Sequence, residues 1–110
     1  MQATSLAALL AALAGGLAAA QPSDQQLAAQ GKTILMENCS RCHQIELSGR
    51  SPLGEAPPFW VLMRRYKPEQ LEEALGEGLS SGHPVMPEFV FEPDEISAII
   101  AYLETLREKR

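Results

Sequence analysis

The chain has 110 residues, with 14 acidic and 9 basic side chains for a formal charge of −5. That length holds one small domain with a modest core of its own. The negative charge argues against nucleic acid as a partner, which would select the opposite sign. Both cysteines, Cys39 and Cys42, lie within one short run, so none is left for a separate disulfide.

Residues 1–20 carry no charged side chain, and Leu6 to Ala20 is almost wholly Ala, Leu and Gly, ending in Ala18-Ala19-Ala20 before Gln21. The apolar stretch is short for a membrane span, and its small-residue end fits peptidase cleavage after Ala20. The expectation is an export leader over 1–20 and a domain over 21–110, with a retained membrane anchor as the alternative. Ser23 and Gln26 then have capping-box spacing. Leu27, Gly31, Ile34, Leu35 and Asn38 recur at helical spacing, which predicts a helix over 24–38.

From Gln44 to Pro58 the chain is punctuated by Gly49, Pro52, Gly54 and Pro57, which predicts a loop wrapped on something. Pro58 opens a short predicted helix to about Tyr66, and Pro68 another to about Gly78, with Leu71, Ala74 and Leu75 inward. Gly82, Pro84 and Pro87 make residues 79–91 irregular. Pro93 opens the last helix, with Asp94 and Glu95 at its positive end and Lys109 and Arg110 at its negative end. Its buried stripe is Ile96, Ile99, Ile100, Leu103 and Leu106, with Tyr102 at the margin. Glu69, Glu72, Glu73, Glu77, Glu88, Glu92, Asp94 and Glu95 face only Lys67 within 67–95. They read as a solvated acidic surface or as a docking face for a basic partner.

Cys39-Ser40-Arg41-Cys42-His43 is a C-x-x-C-H run, the covalent attachment pattern of a c-type haem. Two thiols at this spacing add to the two vinyl groups of one porphyrin edge, and the next residue carries an imidazole toward the iron. A dithiol redox pair would want a βαβ setting, and a zinc site would need two further ligands where only His83 is at hand. What fills the sixth iron position separates electron transfer from gas or peroxide chemistry. Met36 is too close to Cys39 to cross to the opposite face, and Met63 falls in a predicted helix where core packing is the ordinary role. Met86, in Gly82-His83-Pro84-Val85-Met86-Pro87, is the favoured distal ligand, with His83 as its competitor. The other ring nitrogen of His43 calls for an acceptor, near Pro52 or Pro57. Trp60 and Tyr66 pack in the core or reach haem propionates, whose charge Arg50, Arg64 or Arg65 would offset.

These features together resemble the class I, mitochondrial-type c cytochromes in their small bacterial periplasmic form. Gly31 stands eight positions before Cys39 as that family's N-terminal helix glycine does, and Leu35 takes its apolar position. Tyr102, in Ile100-Ala101-Tyr102-Leu103, matches the aromatic packed on the glycine where the terminal helices cross, and Met86-Pro87 matches the distal ligand loop. The resemblance implies an all-α, cytochrome c-like fold: short helices around one covalently attached haem c, with crossing N- and C-terminal helices. It implies a periplasmic, monomeric one-electron carrier rather than an enzyme, held to its haem by Cys39, Cys42, His43 and Met86. Its partners would be a redox protein donor and acceptor, not identified by sequence, met in transient complexes; membrane contact would come through partner complexes or an uncleaved leader. The segment Pro52-Leu53-Gly54-Glu55-Ala56-Pro57-Pro58 departs from the family in not placing the proximal proline uniquely. The competing functions are a haem-based ligand sensor, a peroxidase-like enzyme, or a haem subunit anchored in a respiratory or dehydrogenase complex.

Overall fold

Helix α1 spans Asp24–Asn38, the range predicted from the spacing. The computed structural model describes residues 15–16, 20–78 and 85–108, so the expected leader lies almost wholly outside the described residues. At the start of α1 the Gln26 N–H donates to Ser23 Oγ at 3.1 Å, and the Ser23 N–H donates to Gln26 Oε1 at 2.8 Å. Both halves of the capping box therefore form, giving partners to amides that an uncapped helix leaves to water. Gly31 and Leu35 are the buried positions of this helix.

Helix α2, Phe59–Arg65, follows Pro58 as its N-cap. The single helix predicted from Pro68 to about Gly78 is instead two elements, a 3₁₀ turn at Pro68–Leu71 and helix α3 at Glu72–Glu77. The reason lies at the start of the turn. The Gln70 N–H donates to the Lys67 carbonyl at 3.0 Å, three residues back, while the Lys67 N–H is taken by Gln70 Oε1 at 2.8 Å. Pro68 is fully buried, which anchors this tighter winding against the core. Gly78, at φ 122°, ends α3 in a conformation that a side chain would resist.

Residues 85–92 are without helix, as their prolines predict, and helix α4 spans Pro93–Glu108. The predicted stripe of α4 holds at Ile96, Ile99, Leu103 and Leu106, all buried. Two positions trade places: Tyr102 is 6% exposed and belongs to the core, while Ile100 is half-buried at the margin. The exchange follows from the phenol, which reaches inward to a backbone carbonyl described below. Of the basic side chains expected at the end of α4, Lys109 and Arg110 lie outside the described residues, and Arg107 occupies the last turn.

The terminal helices α1 and α4 make the largest interface between elements. At their crossing, a Cβ on Gly31 would lie 1.9 Å from the Ala98 carbonyl oxygen and 2.9 Å from the Ile99 nitrogen. The glycine is thus pressed onto the α4 backbone, with the Ala98 carbonyl nearest. One continuous core joins Leu35 of α1, Met63 of α2, Leu75 of α3 and the inward face of α4 with Ile45 and Phe91 from the connecting segments. Full burial of side chains such as Ile99 and Leu106 stabilises by roughly 1.5–3 kcal/mol each relative to exposure. The architecture is all-helical, with no strand among the described residues. No helix there is long and apolar enough to cross a membrane.

Candidate haem site

The end of α1 runs directly into the C-x-x-C-H run. Cys39 N–H donates to Leu35 O at 2.7 Å, and the Cys42 and His43 N–H groups both donate to Cys39 O, at 3.2 and 2.9 Å. The run is therefore one further helical turn, and residues three and four apart on such a turn share a face. That winding presents the side chains of Cys39, Cys42 and His43 to one side. The two thiols are half-buried and unjoined. Burial, and then the neighbouring Cys42, push the Cys39 thiol up to about 11. A redox-active dithiol works from a lowered pKa, so this environment opposes the dithiol alternative. Among the described residues no three His, Cys, Asp or Glu side chains gather to hold a metal ion, and His83 lies outside those residues.

The loop that follows is folded around the histidine. His43 Nδ1 lies 2.7 Å from the Pro57 carbonyl oxygen, so Nδ1 carries the proton and Nε2 is the nitrogen left to act as a ligand. Pro57 is one of the two acceptors predicted from sequence, and the geometry selects it over Pro52. The Phe59 N–H donates to Gln44 O at 2.9 Å and the Gln44 N–H to Ser51 Oγ at 3.0 Å, closing the loop across its base. Phe59 packs its ring 5.0 Å from that of His43.

These residues form one wall of an apolar cavity of about 530 Å³, lined also by Leu35, Leu53, Leu62, Leu75, Ile99, Leu103 and Met86. A volume in the range of ~300–1,000 Å³ suits a cofactor. A large, flat, apolar group tethered at two points fits this lining: hydrocarbon surrounds it, and both thiols and the imidazole stand in the wall. Tyr66, Val85 and Pro87, all exposed, mark where the cavity reaches solvent.

Residues 28–107 match the family model described as cytochrome c. The chain belongs to the cytochrome c family. A curated relative, the cytochrome c-553-like protein of Synechocystis sp., is 29% identical over 77 residues, covering 70% of this chain and 67% of that protein. No solved structure matches. Members of the cytochrome c family are typically non-enzymatic haem electron carriers, and the Cys39/Cys42 pair accounts for one covalent haem c.

Of the residues singled out from sequence, Cys39, Cys42, His43, Met63 and Met86 line the cavity together. Met36 does not, and it is 51% exposed. Trp60 lies outside the core and outside this cavity: its Nε1–H donates to the Gly49 carbonyl at 2.8 Å and the Arg64 guanidinium lies 4.9 Å over its ring. Tyr66 is 48% exposed at the mouth rather than in the core. Arg50, Arg64 and Arg65 stay on the surface, outside the cavity wall. Sequence reasoning missed Phe59 against the histidine; the Pro57-Pro58 pair immediately before an aromatic was the available signal.

It also missed the inward hydrogen bond of Tyr102, whose Oη donates to the Ile45 carbonyl at 2.5 Å. Burial, and then the Glu46 carboxylate, push this phenol up to about 12 from an ordinary 10.0. A phenol kept neutral by the fold contributes stability that is complete below its unfolded pKa and is lost as pH rises from about 10 through about 12. Urea midpoints measured across that window should fall more steeply for the wild type than for Tyr102→Phe. Parallel curves would show that the phenol does not titrate with unfolding.

Proposed function

We propose that the chain is a periplasmic one-electron carrier, exported by a leader over 1–20 that is cleaved, with its haem held by Cys39 and Cys42 and ligated by His43 and Met86. The observation that carries this reading is a single apolar cavity lined by both thiols, the Pro57-oriented imidazole and the Met86 thioether. These residues would hold a c-type haem, which would supply one-electron chemistry at its iron.

Each residue has a separate task. Cys39 and Cys42 tether, so that the cofactor stays with the chain through repeated encounters. Pro57 fixes the His43 ring through Nδ1 and makes the imidazole a stronger donor. Two thioethers line the cavity, and what favours Met86 is where they stand. Met63 lies on α2 four residues after Phe59, the face packed against His43, whereas Met86 arrives from the other end of the chain on a non-helical segment. A thioether is soft and favours reduced iron, raising the potential relative to two imidazoles. With His43 and Met86 both holding the iron, a haem bound here would be closed to substrates, which supports a carrier over a peroxidase-like enzyme or ligand sensor. The exposed mouth at Tyr66, Val85 and Pro87 suits brief contact between a monomer and redox protein partners. The exposed glutamates of α3 and the segment before α4 favour partners with basic faces.

The test is the spectrum of the purified protein in both redox states, with and without carbon monoxide, beside its intact mass. The expected result is one covalent haem on residues 21–110, a thioether-to-iron charge-transfer band in the ferric protein, and no rapid carbon monoxide binding by the ferrous protein at neutral pH. Rapid binding would overturn the closed site.

A further inference from the structure

Residues 42–45, which carry the axial histidine, are pinned at nearly every peptide. Cys42 O accepts from Leu53 N–H at 3.1 Å, Gln44 N–H donates to Ser51 Oγ, Gln44 O accepts from Phe59 N–H, and His43 Nδ1 holds Pro57 O. All four partners belong to residues 51–59. They close the loop upon itself without fastening it to the C-terminal helix. That attachment is made by Tyr102, which reaches across 57 positions of sequence to the Ile45 carbonyl, two residues beyond His43. Both Ile45 and Tyr102 are buried, at 4% and 6% exposure. The neighbouring Lys32–Glu46 ion pair, 2.9 Å, ties the same stretch to α1, but both side chains are well exposed and such a pair contributes little.

We propose that Tyr102 is a positioning residue for the axial histidine, its hydroxyl holding the Ile45 carbonyl so that the His43 loop keeps its place against α4. The inference rests on His43 and Met86 as the axial pair. Its physical content is relative placement. The segment that brings Met86 to the cavity is fastened by Phe91 N–H to Leu75 O at 2.9 Å and then enters α4 at Pro93. The proximal loop and the distal segment thus meet on one helix, the first through the Tyr102 hydroxyl. Removing that hydroxyl leaves the buried Ile45 carbonyl without its donor, an arrangement costly enough that the loop relaxes to find another. Such a relaxation turns the His43 ring relative to the thioether.

Tyr102→Phe keeps the ring and its packing, so the fold is retained. Ser23→Ala serves as a control that destabilises by loss of a cap far from the site. The readouts are the haem-methyl shifts in the proton spectrum of the ferric protein, which follow the plane of the axial imidazole, and the redox equilibrium against a mediator of known potential. Tyr102→Phe should rearrange the methyl shifts and move the redox equilibrium about threefold or more, while Ser23→Ala changes neither. If Tyr102→Phe lowers only the unfolding midpoint, as Ser23→Ala does, the phenol is merely structural and the proposal fails alone. A wild-type spectrum lacking a histidine–methionine signature would instead overturn the ligand assignment and the proposal with it.

Discussion

Gly31→Ala should destabilise the protein by about 3 kcal/mol, at the upper end of the ~1–3 kcal/mol that forced overpacking costs. In a solvent-facing helix the same change stabilises by about 1 kcal/mol, because alanine is the better helix former. Here the added methyl would sit 1.9 Å from the Ala98 oxygen and 2.4 Å from its carbonyl carbon. Both atoms are backbone of α4, so no side-chain rotation relieves the clash and the two helices must separate. Separation strips contacts from Leu35, Ile99 and Leu103, which form the core beside the cavity. For a small domain whose total stability is ~5–15 kcal/mol, that is a large fraction. Gly76→Ala is the matched comparison, since a Cβ there meets only the end of the Ile96 side chain, at 3.3 Å, and no backbone. Urea unfolding should place Gly76→Ala within about 1 kcal/mol of the wild type, the helix preference for alanine offsetting the tight contact with Ile96. Equal midpoints for the two variants would refute the close approach of α1 and α4.

The contrast between these glycines bears on what can be read from a chain without coordinates. The attachment run was legible because its chemistry is local: two thiols and an imidazole within five residues specify the cofactor before any fold exists. Helix α1 was legible for a similar reason, since Ser23 and Gln26 cap it with atoms three residues apart. Gly31 could be noticed by its spacing from Cys39, but not that its neighbour is the Ala98 backbone, because that depends on where two distant helices cross. Non-local partners also explain the misplacements. Tyr102 was set at the margin of α4 and Ile100 inside, whereas the Ile45 carbonyl draws the phenol inward. Trp60 was divided between core and propionate, yet its N–H goes to Gly49, in a loop whose path periodicity does not describe. The break between Pro68–Leu71 and α3 is a local matter by contrast, marked by the Gln70 N–H donating three residues back to the Lys67 carbonyl. Local patterns decide elements; a single long-range hydrogen bond decides which face of an element is inside.

Met86→Ala should produce the largest functional change of any single substitution. With the thioether removed, the proposed site keeps only His43 as a protein ligand, and the ferrous protein should bind carbon monoxide rapidly where the wild type should not. The potential should fall by on the order of 0.2 V, a fraction of the ~0.8 V range over which axial ligands set haem potentials. Met86→His separates the two consequences. An imidazole in place of the thioether should lower the potential in the same direction while keeping the iron six-coordinate and closed to carbon monoxide. Thus one variant should lose both closure and potential, and the other potential alone. Met63→Leu provides the internal control: Met63 also lines the cavity and is only 4% exposed, but as a packing residue on α2 its replacement by a chain of similar volume should cost under about 1.5 kcal/mol and leave the ferric charge-transfer band in place. If Met63→Leu abolishes that band and Met86→Ala retains it, the distal ligand is Met63, supplied by α2, whose first residue packs beside His43. The spectra of three variants therefore test the proposed closed site and decide between its two cavity-lining sulfurs.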